Sequence, residues 1–93
     1  MAVKIFIKRK MAESHVLELT ELLKKLRAMT LEQPGYISGE TLRRIDKSGE
    51  SMVISTWRSV DDWNSWVNDE KRLAVQNEID QLLGEGTEYA IYG

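Results

Sequence analysis

Between Ala2 and Lys10 the apolar side chains Val3, Ile5 and Ile7 alternate with Lys4 and Lys8, a period of two in β-branched residues that predicts a strand. Beyond Met11 the period lengthens. Val16, Leu19, Leu22, Leu23, Leu26 and Met29 recur at intervals of three and four, which predicts a helix of about five turns. Ser14 is its candidate N-cap, Glu21 is placed to pair with Lys25, and Gln33-Pro34-Gly35 forces the turn that ends it. Two extended runs follow, Tyr36 to Ile45 and Ser51 to Trp57, joined by the polar stretch Asp46-Lys47-Ser48-Gly49-Glu50 of hairpin length. Ser59-Val60-Asp61-Asp62 has the form of a helix cap with a carboxylate three residues on, and Val60, Trp63, Trp66 and Val67 share one face of a short helix. After a break near Asn68 and Asp69, a longer helix carries Leu73, Gln76, Ile79, Leu82 and Leu83 on one stripe and stops at Gly84. Glu88 to Tyr92 reads as the closing strand.

The resulting order is that of a single α+β domain over residues 1–93, ferredoxin-like βαββαβ, with a four-stranded antiparallel sheet and its helices on one face. The second sheet face is not made for water. Phe6 lies out of phase with Val3, Ile5 and Ile7, and both phases of the third strand carry apolar residues, Met52 and Ile54 against Val53 and Trp57. A chain with helices for only one face therefore implies a second copy covering the other.

Composition sharpens this expectation. A chain of 93 residues buries only about 60–65% of the surface its unfolded form exposes. It has no cysteine, so disulfide staples, thiol redox chemistry and thiolate metal sites are excluded, and self-association is the remaining source of extra burial. A reducing cytoplasm suits such a chain. Thirteen Lys and Arg against fifteen Asp and Glu, spread without a basic stripe, argue against nucleic acid and anionic membrane as partners. The opening apolar stretch is too short for a signal or a membrane span.

Three short motifs stand in a fixed order: Pro34-Gly35-Tyr36-Ile37, the strand end Ile54-Ser55-Thr56-Trp57-Arg58-Ser59, and Asp62-Trp63-Asn64-Ser65-Trp66. Together they resemble the Pro-Gly-aromatic, strand-Trp-x-Ser and aromatic-x-x-Trp signatures of the antibiotic biosynthesis monooxygenase family, and the likeness runs from the first strand to Tyr89-Ala90-Ile91-Tyr92. The resemblance implies a homodimer whose sheets face each other as a dimeric α+β barrel, with one pocket per subunit between sheet and helices. It also implies chemistry on a small aromatic, polyketide or quinol-like molecule, which one branch of the family oxygenates without metal or flavin.

Carried over residue by residue, the resemblance makes Trp57 the strand tryptophan of the oxygenating branch, its indole N–H a candidate donor to a developing oxyanion. The Asn that branch has four residues earlier is Val53 here. The haem-degrading branch has an Asn on strand 1, a Trp on the short helix and an iron-ligating His on the long helix. Only the Trp has a counterpart, Trp66; the other positions fall at Phe6 and at Gln76 or Val75, so haem chemistry is disfavoured. Trp57, Trp66 and Gln76 are thus the candidate catalytic residues, and Phe6, Tyr36, Arg43, Arg44, Trp63 and Tyr89 the candidate substrate-binding ones. Each has a plain alternative. Trp63 and Trp66 also form the stripe of any core helix, the tyrosines could merely close the barrel, and Glu40 could neutralise a buried arginine in place of acting as a base. Gln76 is polar on an apolar stripe and must satisfy its amide somewhere. The sole histidine, His15, reads as an exposed or capping residue, and no metal-ligand spacing exists, so neither metal nor cofactor is expected. The rival to catalysis is a dimer that only binds a small hydrophobic ligand.

Overall fold

The alternation between Val3 and Lys10 becomes a strand, β1 (Val3–Lys10), in the computed structural model, which describes residues 2–10 and 13–93. A 3₁₀ turn (Glu13–His15) leads into α1 (Val16–Leu31), and β2 (Tyr36–Arg43) and β3 (Glu50–Trp57) form the hairpin. The helical pair is α2 (Val60–Val67) and α3 (Glu70–Leu83), and β4 (Glu88–Tyr92) closes the chain. The strands make one antiparallel sheet in the order β2-β3-β1-β4, the ferredoxin-like α+β arrangement. The parts of the expected 1–93 domain at Met1, Met11 and Ala12, including the change of period after Met11, lie outside the described residues.

Register decides which side chains meet. Val3 pairs with Trp57, Ile5 with Ser55 and Ile7 with Val53, and because directly paired residues share a face, these and Arg9 point together toward the helices. There they pack with Leu19 and Leu26 of α1, Trp63 and Trp66 of α2, and Val75, Ile79 and Leu83 of α3 into one buried core. The opposite face carries Phe6, Met52, Ile54, Ala90 and Tyr92. Phe6 and Tyr92 meet edge to face at 4.9 Å between ring centroids.

Local signals set most boundaries. Ser59 Oγ accepts the backbone N–H of Asp62 at 3.1 Å and donates to Asp62 Oδ2 at 2.9 Å, so the expected cap of α2 forms. Asp69 caps α3 by accepting from the N–H groups of Lys71 and Arg72 at 2.9 and 3.1 Å, and Gly84 ends that helix at φ 76°.

Four expectations need correction. Ser14 lies in the 3₁₀ turn, and the residue ahead of α1 is His15, whose side chain makes no capping bond. Glu21 reaches Lys24, at 4.0 Å on the exposed surface, in place of Lys25; three and four residues apart are equally near on a helix, so spacing alone does not choose. The second strand stops at Arg43, short of Ile45, because Arg44 turns to bind Asp46 and Glu50 and leaves Ile45 99% exposed. The buried stripe of α3 is Arg72, Val75, Gln76, Ile79 and Leu83, while Leu73 is exposed. Gln76, Ile79 and Leu83 of the expected stripe are buried and Leu82 packs against the core, while the place expected for Leu73 is taken by Arg72, whose guanidinium lies beside the aromatic rings of α2 and β4.

Candidate active site

A cavity of about 570 Å³ opens between the helix-facing side of β2 and β3 and the first helix. Its apolar wall is built from Ile7 and Val53 on the sheet and Leu23 and Leu26 on α1, and its aromatic wall from Tyr36, Trp57, Trp63 and Trp66. The size is that of a small-molecule site.

The aromatic wall follows from local chemistry. Gly35 takes a positive φ of 85°, and a Cβ there would strike the side chain of Asp62. The close approach lets the backbone N–H of Arg58 donate to the Gly35 carbonyl at 2.7 Å, while the Arg58 guanidinium donates twice to the Asp62 carboxylate, at 3.0 and 3.1 Å. The Pro-Gly turn, the end of β3 and the start of α2 are thereby tied together, which brings Tyr36, Trp57 and Trp63 into one cluster. The Trp57 ring meets Tyr36 at 5.4 Å and Trp63 at 5.6 Å, both edge to face, and Trp57 itself is fully buried. The Arg58 and Ser59 bonds hold the Asp62 carboxyl below the usual carboxylate range.

Behind the cavity lies a buried polar network. Arg9 Nη2 donates to Gln76 Oε1 at 3.1 Å, and Gln76 Nε2 donates to Asp80 Oδ1 at 2.9 Å and to Thr87 Oγ1 at 2.8 Å. Thr87 Oγ1 in turn donates to Asp80 Oδ1 at 2.9 Å. Arg72 is 2% exposed and stands among the rings of Trp63, Trp66 and Tyr89, its Cζ 5.3–5.9 Å from each centroid, with Nη2 donating to Tyr89 Oη at 2.8 Å. Burial lowers the Arg9 pKa from its ordinary value; Tyr89 and Asp80 oppose that shift and Arg72 adds to it, and the guanidinium remains charged.

Of the nine candidates, Tyr36, Arg43, Arg44, Trp57, Trp63 and Trp66 line the cavity. Gln76 and Tyr89 stand one layer behind, each bonded to a lining arginine. Phe6 is on the other side of the sheet, because its parity on β1 is opposite to that of Ile5 and Ile7. The Trp57 N–H is engaged, donating to Ser55 Oγ at 3.1 Å, so this residue shapes the wall and does not offer a free donor. Arg43 and Arg44 are exposed at the cavity mouth, and Glu40, paired across from Ile54, faces away from it. Neither reading of a buried Arg43 or Arg44 beside Glu40 applies.

Arg9 and Arg72 are the residues that sequence reasoning missed. Arg9 continues the phase of Val3, Ile5 and Ile7, and Arg72 stands at i−3, i−4 and i−7 from Val75, Gln76 and Ile79, so parity and helical spacing were the available signals. The cavity lining contains no imidazole, thiol or thioether among the described residues, which does not fit an iron-ligating haem site. Also among the described residues, no cluster of three or more His, Cys, Asp or Glu side chains could hold a metal ion, and no helix is long and apolar enough to cross a membrane.

Comparison with known proteins puts this site in context. A conserved protein from Methanosarcina mazei Go1 has the same fold, with a TM-score of 0.89 and 18% identity over 99% of this chain and 91% of that one. SnoaB from Streptomyces nogalater, a cofactor-independent oxygenase, gives a TM-score of 0.82 at 18% identity, covering 99% of this chain and 91% of SnoaB. Rv0793 from Mycobacterium tuberculosis gives 0.85 at 16% identity, covering 100% and 94%. No sequence among curated proteins matches the chain significantly. Identities this low establish the fold alone, but the sequence profile described as antibiotic biosynthesis monooxygenase matches residues 2–78, from the start of β1 into α3. The chain belongs to the antibiotic biosynthesis monooxygenase family.

Proposed function

We propose that this protein is a cofactor-independent monooxygenase acting on a small, flat aromatic or quinol-like molecule bound in the cavity between sheet and helices. The observation that carries the reading is the aromatic-walled cavity of about 570 Å³ in a chain of this family. SnoaB, a cofactor-independent oxygenase that shares the fold, supports it. A substrate that ionises to an enolate supplies both electrons: its carbon–hydrogen position gives a proton to water, the carbanion adds dioxygen, and the hydroperoxide loses water to leave a carbonyl. One CH₂ group and one O₂ thus become one C=O and one H₂O. The walls exclude bulk water and hold the ring plane, which places the reacting carbon and dioxygen within reach of each other.

The carboxylate on the cavity lining among the described residues, Glu50, is a poor general base. It pairs with Lys8 at 3.2 Å and with Arg44 at 3.0 Å, and the Lys8 bond, then the Arg44 bond, lower its pKa. The substrate must therefore be acidic enough to ionise without strong assistance. The same feature favours a second reading, a dimer that binds such molecules without turning them over. Oxygen uptake by purified, metal-stripped protein with a panel of anthrones and hydroquinones separates the two. Uptake above the buffer rate is expected, and Trp57→Phe, which reshapes the wall, should lower it by about tenfold or more. Saturable binding without any uptake would leave only the second reading.

A homodimer completes the proposal, with Phe6, Met52, Ile54 and Tyr92 of the two sheets facing each other. Light scattering should give twice the chain mass of 10.7 kDa, and Ile54→Glu should shift it toward the monomer. A compact wild-type monomer would overturn this part.

A further inference from the structure

The cavity is strongly cationic although the chain as a whole carries a formal charge of −2. Arg9, Lys24, Arg27, Arg43, Arg44 and Arg72 line it, against the single carboxylate of Glu50 among the described residues. Arg44 is neutralised by Asp46 and Glu50, at 2.7 and 3.0 Å. Arg9 and Arg72 are different in kind. They are 4% and 2% exposed, and the Nε atom of each is buried with no hydrogen-bond partner among the described residues. Asp80 is the carboxylate acting on Arg9, with Gln76 bridging the two, whereas the Arg72 guanidinium donates to Tyr89 Oη and meets no carboxylate among the described residues. The three rings around Arg72 stabilise its charge without accepting its N–H groups in plane, and its contact with the Val67 carbonyl is long, at 3.5 Å. A buried cation with unmet donors is costly unless an anion joins it.

We propose that the inner end of this cavity binds the carboxylate of an aromatic acid, with the guanidiniums of Arg9 and Arg72 as its seat and the tryptophan wall against its ring. The planar donors of arginine suit a carboxylate, and Arg72, which meets no carboxylate among the described residues, is a cation for such an anion to neutralise. The outer cations Lys24, Arg27 and Arg43 raise the local concentration of such a substrate at the mouth. This inference rests on the reading of the cavity as a site for a flat aromatic molecule and narrows it to an acidic one.

The test is calorimetric titration, at neutral pH and physiological salt, with rhein, an anthraquinone carboxylate, and aloe-emodin, the neutral compound in which a hydroxymethyl group replaces that carboxylate. Rhein should bind at least about tenfold more tightly, a gap of about 1.4 kcal/mol. Arg72→Met should abolish the preference, read as the ratio of the two affinities within one variant, and Arg9→Met gives the same readout from the other guanidinium should the first variant not fold. Methionine is chosen because its unbranched, flexible side chain fills most of the space of the arginine stem without a charge. Equal affinity of the wild-type protein for both compounds would overturn the anion seat and leave the aromatic site standing. A preference kept in both variants would move it to the outer cations and overturn the assignment to Arg9 and Arg72. Binding of neither compound would overturn the aromatic reading and this one together.

Discussion

Trp57→Ala is expected to lower the unfolding free energy by about 4 kcal/mol, the middle of the range for removing a large aromatic side chain from a core. Trp57 is fully buried at the end of β3, in edge-to-face contact with Tyr36 and Trp63, and the alanine would merge the space it leaves with the adjoining cavity. Ser55, itself buried, would also lose the indole donor that meets its hydroxyl. A domain of this size has about 5–14 kcal/mol in total, so the variant should be partly unfolded at moderate temperature. Urea unfolding followed by circular dichroism measures the effect, and a loss below about 1 kcal/mol would mean that Trp57 does not hold the cluster together.

Gln76→Leu should cost about 3 kcal/mol, through a different mechanism. Gln76 is 4% exposed and joins Arg9 to Asp80 and Thr87. Leucine fills nearly the same volume, so packing changes little, but Arg9 loses its side-chain acceptor while remaining charged and buried. The sign of a second substitution checks this account. Arg9→Met added to Gln76→Leu removes the stranded charge and should recover much of the loss, because replacing both partners of a buried pair by apolar groups is often nearly neutral. If the double variant is less stable than Gln76→Leu alone, the cost lies in packing and not in the unpaired guanidinium.

Both predictions concern residues whose surroundings were only half legible. Trp57 and Trp66 were readable as site candidates through the motif order that marks the family, and Tyr36 through the Pro-Gly turn before it. Gln76 stood out as a polar residue on an apolar stripe, and Asp80 one turn on is a local partner, yet its other partners come from β1 and from the segment before β4, 67 residues back and 11 residues on. No local pattern connects such positions. Phe6 was assigned to the site by its place along β1, and the pleat sends it to the opposite face.

What the chain determined by itself is everything that acts over a few residues. The period of two in β1, the Ser59 cap, the positive φ at Gly84 and the Pro-Gly turn at Gly35 rest on local sterics and neighbouring hydrogen bonds, so the element order and the ferredoxin-like sheet could be read from them. What only the tertiary structure decided is the polarity of the site. An arginine in isolation reads as solvated, because burying a charge is costly. Whether Arg9 and Arg72 are buried depends on the rotation of α3 against the sheet and on rings that Trp63, Trp66 and Tyr89 bring from two other elements. The compensation that makes a buried charge tolerable is long-range, and so the cationic interior of the cavity emerges only when the helices and strands are packed together.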